Sequence, residues 1–270
     1  MTYSFSKMSG AGNDFVVIDN RRLKIRQRAR LARQVCDRHE GIGADGLLLL
    51  EPSRRYSYLM RYYNADGTDG GMCGNGARCI AWFAFLYHIA PRNHTFEALG
   101  KPYAANILGK ERVSIAFPDP APLHPTWKVK TRIPGNSRVS FIDTGSPHAV
   151  VRLRRESLSK FNVVEAGRSL RWDPTFQPLG TNVNYVQVNS ATSITIRTYE
   201  RGVEAETRAC GTGSIACAVT GSELWGLKSP VRVEARGGIL KVSFTTSSEG
   251  FTDILLEGHA KIVFEGTLRA

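Results

Sequence analysis

The chain has 270 residues, 42% of them hydrophobic and 22% charged, with a formal net charge of +12 at pH 7. That length suits one large domain or two of about 130 residues, and the apolar fraction belongs to a globular chain with a real core, which excludes a disordered polypeptide. No apolar run approaches the roughly 18 residues of a membrane span, and the opening MTYSFSKMSGAG lacks the basic start and apolar middle of a signal peptide, so a cytoplasmic protein with no membrane contact is expected.

In chain order, the first strand signal is FVVID (15–19), which follows the glycine turn GAGND. The stretch RRLKIRQRARLAR (21–33) then gathers Arg21, Arg22, Lys24, Arg26, Arg28, Arg30 and Arg33. With Leu23, Leu31, Ala32 and Val35 available for burial, it predicts a surface helix with a solvated basic face. No nucleic-acid motif or interleaved aromatic accompanies it, so no nucleic-acid partner is expected; a basic surface instead enriches acidic small molecules nearby.

Further strands are predicted at GLLLLE (46–51), SYLMRYYN (57–64), TFEAL (95–99), RVSIAF (112–117), RVSFID (138–143), HAVVRL (148–153), NYVQV (184–188), SITIRTY (193–199), VRVEA (231–235), ILKVSF (239–244) and AKIVFEG (260–266). Helices are predicted after Cys73, from about Asn162 to Leu170, and after Cys210. The first and last of these are apolar almost all round, as helices buried at the centre of a structure are. Many short strands with few helices predict an α+β fold, largely antiparallel.

Two segments repeat one design. LMRYYNADGTDGGMCGNG and TIRTYERGVEAETRACGTG both run strand, polar turn, acidic or glycine-rich loop, cysteine, G-x-G and buried helix, and Asn64 and Arg201 each stand nine residues before their cysteine. GAGNDFVVID and TGSPHAVVRL form a weaker matched pair. A duplicated half-domain is inferred, with its boundary in the proline-rich PDPAPLHP (118–125).

The cysteine before each G-x-G carries the chemistry. The first N–H groups of a helix lack intrahelical partners and the helix dipole adds a partial positive charge, so such an end receives an anion such as a carboxylate. The same field favours thiolate over thiol, so Cys73 and Cys210 should ionise below the usual value of about 8.5. Two such groups suit removal of a proton from one face of a carbon and its return to the other, an inversion that needs no electron-withdrawing cofactor when helix ends stabilise the developing charge. Cys36, Cys79 and Cys217 lie in apolar runs and read as small hydrophobes. The spacings C-x5-C and C-x6-C, without nearby histidines, suit neither zinc nor a disulfide framework, so no metal is expected.

The motifs SGAGNDFVVID, GADGLL, YYNADG, MCGNGARC, TGSPHAV, GTNVNYVQV and YERGVEAETRACGTG, in this order along nearly the whole chain, resemble those of the diaminopimelate epimerase family. These enzymes interconvert LL- and meso-diaminopimelate without a cofactor. The resemblance implies two pseudo-symmetric lobes, each a mostly antiparallel, barrel-like β-structure around a central buried helix, with the active site at their interface. The lobes are expected at 1–120, with a strand 262–270 returning to the first, and 121–261. It also implies closure around the substrate and a homodimer.

By that resemblance Cys73 and Cys210 are the acid–base pair. Gly74, Asn75, Gly211 and Thr212 contact the reacting carboxylate, and Asn13, Asn64, Asn182, Glu200 and Arg201 recognise the substrate, the last four mainly at its distal end. Ser146 is also expected to touch it, and His148 and Glu200 to tune the cysteines. Two departures bear on distal recognition: many members have asparagine before the proline where this chain has Ser146, and some have glutamine at Gly46. A racemase of the same architecture acting on histidine or glutamate is the nearest alternative. An isomerase or binding protein that works without thiols, as phenazine-pathway relatives do, is disfavoured by the presence of both cysteines. A pyridoxal phosphate racemase is disfavoured because no lysine sits in a recognisable Schiff-base context.

Overall fold

The computed structural model describes residues 2–131, 138–153 and 157–269, which contain sixteen β-strands and four α-helices. Met1 and Ala270, the outer ends of the expected 1–120 lobe and returning 262–270 strand, lie outside the described residues. The chain is a sheet-rich α+β protein that divides into two compact units, Met1–Ala116 with Glu257–Ala270, and Phe117–Leu256. None of the described helices is long and apolar enough to cross a membrane.

The first unit contains β1 (Thr2–Gly10), β2 (Asn13–Asp19), α1 (Arg28–Cys36), β3 (Gly46–Glu51), β4 (Leu59–Asn64), α2 (Gly74–Leu86), β5 (Asn93–Ala98), β6 (Lys101–Gly109), β7 (Arg112–Ala116) and β16 (Lys261–Arg269). Its strands run in the order β16-β1-β2-β3-β4-β5-β6-β7. Neighbours are antiparallel except for β2 with β3 and β4 with β5. Each parallel pairing needs a crossover connection, and α1 and α2 lie in those two connections. All six residues of β3 are buried, as its unbroken apolar run requires. Helix α2 is buried from Gly74 through Ala84 and packs against β1, β2, β6 and β7.

The basic stretch differs from expectation. Helix α1 begins at Arg28, because Leu23 is exposed with φ 51° and the chain from 21 to 27 is not helical. Leu31, Ala32 and Val35 are buried with Ile18, Leu47 and Leu49 as the sequence pattern requires. The basic face is not all solvated: Arg28 pairs with buried Glu51 at 2.6 Å, whereas the Arg21–Asp19 pair at 2.8 Å is exposed.

The second unit contains β8 (Val139–Asp143), β9 (Pro147–Arg152), α3 (Val163–Arg171), β10 (Asn182–Ser190), β11 (Ser193–Glu200), β12 (Ala205–Thr207), α4 (Gly211–Trp225), β13 (Val231–Ala235), β14 (Gly238–Ser247) and β15 (Gly250–His259), whose last three residues count with the first unit. Its strands run β15-β14-β13-β11-β10-β9-β8, with β12 beside β11. The parallel pairings are β9 with β10 and β11 with β13, and again the connections hold α3 and α4. Asn162 caps α3: its Oδ1 accepts from Glu165 N, and its Nδ2 donates to Glu165 Oε2, a reciprocal capping arrangement. Helix α4 is buried over most of its length and stops at Gly226, whose left-handed φ of 72° ends the helical run.

Candidate active site

Cys73 and Cys210 are the N-caps of α2 and α4, and their backbones nearly coincide: φ −114°, ψ 116° and φ −117°, ψ 119°. Each sulfur takes the place a serine or threonine oxygen takes in a common N-cap. Cys73 Sγ accepts from Gly76 N at 3.5 Å, and Cys210 Sγ from Gly213 N at 3.4 Å. A donated N–H and the positive end of the helix dipole both favour an anionic sulfur. The other cysteines are buried thiols, and burial pushes Cys36 and Cys79 up to about 12 and Cys217 higher still.

Behind Cys73 the polar groups form a chain that starts in the helix. Arg78 is fully buried and donates from Nη2 to Asn75 Oδ1 at 2.5 Å. Asn75 Nδ2 donates to Asn13 Oδ1 at 2.6 Å, and Asn13 Nδ2 to Asp45 Oδ2 at 2.9 Å. Arg38 reaches Asp45 at 2.8 Å and Asp14 at 3.0 Å. This order fixes both amides, bringing Asn13, Asn75 and the Cys73–Gly74 turn together. Asn64 is not in the chain; it heads the turn after β4, donating from Nδ2 to Thr68 Oγ1 at 3.0 Å.

The Cys210 end holds more of the expected residues. His148 is fully buried; its Nε2 is 3.0 Å from Thr212 Oγ1, which is 3.5 Å from Cys210 Sγ. Burial, aided by Arg201, pulls His148 down to about 3, so the ring is neutral. Glu200 accepts from Thr207 Oγ1 at 2.5 Å and is hydrogen-bonded to Cys210; burial nevertheless pushes its carboxyl up. Beside this set, Asn182 Nδ2 donates to Ser146 Oγ at 2.9 Å and to Pro147 O at 3.0 Å, and its Oδ1 accepts from Arg201 N at 2.9 Å. Asn182 also pairs with His148 across β9 and β10, which joins the two groups.

Sequence reasoning missed Arg78 and Asp45 in the first unit, and Asn184 and Thr207 in the second. The available signal was a buried-type pattern broken by one polar residue: an arginine inside the apolar run that follows MCGNG, and an asparagine at the centre of NVNYV. Gly76 and Gly213, the second glycines of the two G-x-G turns, are required by packing. A Cβ at Gly76 would lie 3.1 Å from Leu48 Cδ2, and one at Gly213 only 2.5 Å from Asn184 Oδ1.

Comparison with known proteins agrees with this arrangement of motifs. The family model for diaminopimelate epimerase matches residues 5–115 and 140–263. The chain belongs to the diaminopimelate epimerase family. A diaminopimelate epimerase of Chlorobaculum tepidum is 42% identical over 265 residues, covering 97% of this chain and 99% of that relative. One from Aquifex aeolicus is 41% identical over 279 residues, covering 98% and 97%. In fold the chain is similar to a phenazine biosynthesis protein of the PhzF family from Bacillus anthracis, with a TM-score of 0.77 at 14% identity over all of both chains. It is also similar to a hydroxyproline epimerase from Agrobacterium vitis, with a TM-score of 0.73 at 15% identity over 99% of this chain and 91% of that one.

The two departures from the diaminopimelate epimerase pattern now have surroundings. Ser146 is held by Asn182, so its shorter side chain is part of the network around Arg201. Gly46 has no room for any side chain: a Cβ there would lie 2.4 Å from Tyr62 Cε2 and 2.6 Å from Tyr63 O. The Tyr62 ring occupies that space and stands edge-on to Phe15.

Proposed function

We propose that this chain interconverts LL- and meso-diaminopimelate, with Cys73 and Cys210 removing and returning the α-proton from opposite faces of the carbon and no cofactor taking part. Family membership supports the reaction and substrate. The observation that carries the two-base reading is the matched capping of the two sulfurs by the third N–H of their helices. One sulfur takes the proton as thiolate while the other gives one as thiol. The N–H groups of Gly74, Asn75, Gly211 and Thr212, in the first turns of α2 and α4, stabilise charge that grows on the α-carboxylate as the proton leaves.

Each unit is read as one copy of a duplicated half, a mostly antiparallel β-structure around a central helix. The common order of strands, helices and parallel pairings supports this, as does the burial of α2 and α4. Asn64, Ser146, Asn182, Glu200 and Arg201 recognise the distal amino-acid end. Arg201 can hold a carboxylate through paired hydrogen bonds, and Glu200 an ammonium. His148 and Glu200 tune Cys210. The protein acts in the cytoplasm as a homodimer on a small, charged substrate.

The test is proton exchange. Reduced protein in heavy water should exchange the α-proton of both diaminopimelate isomers, followed by NMR, and should turn over histidine, glutamate and lysine far less. Cys73→Ala and Cys210→Ala should each abolish epimerisation with circular dichroism unchanged, because two-base inversion stops when either base is absent. Near-normal turnover by either variant sinks the mechanism. Faster turnover of histidine or glutamate than of either diaminopimelate isomer sinks the substrate assignment and leaves the thiol chemistry standing.

A further inference from the structure

Asn184, the third residue of β10, is fully buried and has a packed shell of partners. Its Nδ2 lies 3.1 Å from Ala149 O and 3.1 Å from His148 Nδ1, and its Oδ1 is 3.0 Å from Thr198 Oγ1. A peptide carbonyl only accepts, so the atom facing Ala149 must be the amide nitrogen. The same nitrogen therefore donates to His148 Nδ1, and the Thr198 hydroxyl donates to Oδ1. A neutral imidazole that accepts at Nδ1 carries its hydrogen on Nε2. That hydrogen goes to Thr212 Oγ1 at 3.0 Å, and the threonine's own hydrogen is left to point at Cys210 Sγ, 3.5 Å away.

We propose that Asn184 is a positioning residue for the reaction: it fixes His148 as the Nε2–H tautomer and thereby directs the Thr212 hydroxyl hydrogen at the Cys210 sulfur. The functional weight of this rests on the assignment of Cys210 as an acid–base group. Every hydrogen bond in the series runs one way, Thr198 to Asn184 and then Asn184 to His148 to Thr212 to Cys210. The sulfur thus receives two donors, Thr212 O–H and Gly213 N–H, and in its thiol form donates its own hydrogen to the Glu200 carboxylate. With the other tautomer Nε2 would accept from Thr212, the hydroxyl hydrogen would turn away, and the anionic sulfur would lose one of its donors. Gly213 lacks the Cβ that would lie 2.5 Å from Asn184 Oδ1, which leaves room for this amide against the Cys210 turn.

The tautomer is tested in the unaltered protein. With 15N-labelled histidine, His148 should show a neutral ring protonated at Nε2 at pH 7; protonation at Nδ1 or at both nitrogens overturns the proposal. Asn184→Leu should give a mixture of tautomers, slow alkylation of Cys210 by iodoacetamide roughly tenfold, as loss of one hydrogen bond to a charged group does, and leave alkylation of Cys73 unchanged. Its kcat should fall with little change in KM. Thr198→Val, which only loosens the amide, should give a smaller effect of the same kind if Asn184→Leu does not fold. Tautomers that shift while Cys210 alkylation stays constant overturn the link to sulfur. Failure to exchange any α-proton, with the tautomer as stated, counts against the proposed reaction and not against the relay.

Discussion

A guanidinium buried without a carboxylate costs several kcal/mol, and Arg78 is in that position. Its Nε and Nη1 have no hydrogen-bond partner among the described residues, and burial pulls it down to about 10, with Cys79 and Cys73 acting in the opposite sense. Such a residue stands in a helix that packing alone would fill with an apolar side chain. Arg78→Met is expected to raise stability by about 1–4 kcal/mol, a gain of several degrees in Tm for a chain of this size, while lowering kcat. The loss follows because Asn75 and Asn13 lose the donor at the head of their chain and Cys73 loses a nearby positive charge. Thermal unfolding and steady-state kinetics on one preparation decide it; a lower Tm with unchanged kcat would make Arg78 purely structural. The sequence displayed Arg78 only as one charge breaking the apolar run after MCGNG, a signal of burial that names no chemistry. Cysteine at an N-cap announces its chemistry by type and place, whereas a buried arginine is distinguished only by what does not surround it. Asn184 escaped for the same reason: among strand residues its polarity reads as an exposed position until burial on both faces of β10 is seen.

At the scale of elements, the two caps share a geometry and differ in what lies beneath them. A Cβ at Gly76 would meet Leu48 Cδ2 at 3.1 Å and Met60 Cε at 3.5 Å, the free ends of side chains that can shift by tenths of an ångström. A Cβ at Gly213 would meet Asn184 Oδ1 at 2.5 Å and Cys210 Cβ at 3.2 Å, neither of which can move without disturbing the sulfur. Gly76→Ala should therefore keep kcat/KM within a factor of a few, and Gly213→Ala should lower it roughly ten- to hundredfold, equivalent to about 1.5–3 kcal/mol of lost hydrogen bonding. Circular dichroism checks folding, and a more damaging Gly76→Ala would contradict this account of the caps. The buried helices were legible because α2 and α4 are apolar almost all round, and β3 because its first five residues are aliphatic or small. Four strands were not. In β1 the serines and Lys7 mask a strand whose polar groups find partners in Tyr87, Glu265 and Asp14. In β6 the small residues Ala104 and Ala105 blur an alternation that the structure shows plainly, with Tyr103, Ala105 and Ile107 inward. β12 is three residues long, and β15 is interrupted by Asp253 at φ 54°.

For the whole molecule, proton binding on folding sets the pH range of stability, and the net charge of +12 does not. Two histidines are held neutral: burial pulls His148 down to about 3 and lowers His94 as well. The unfolded chain takes up protons at both near the usual 6.5 while the native state resists, so stability from these sites is complete above pH 6.5 and falls as pH drops towards the folded values. The slope from His148 approaches about 1.4 kcal/mol per pH unit, and His94 adds to it in the same direction. The carboxylates act lower on the scale. Burial opposes ionisation of Asp14, but Arg38 and Lys7 outweigh it and hold the carboxyl at about 2; at Asp173, hydrogen bonds from Thr175 and Thr131 outweigh burial to the same value. Their contributions are present above the ordinary carboxylate pKa of about 4 and are lost between there and about 2. Denaturant midpoints measured from pH 8 to pH 3 should thus be flat above neutrality, decline from about 6.5, and steepen below about 4. His148→Gln should flatten the first decline and leave the second. Equal stability at pH 7 and pH 5 would mean that the native protein accepts a proton on His148; a cationic ring donates from both nitrogens, and with Asn184 Nδ2 donating across the same 3.1 Å contact the relay to Cys210 could not stand.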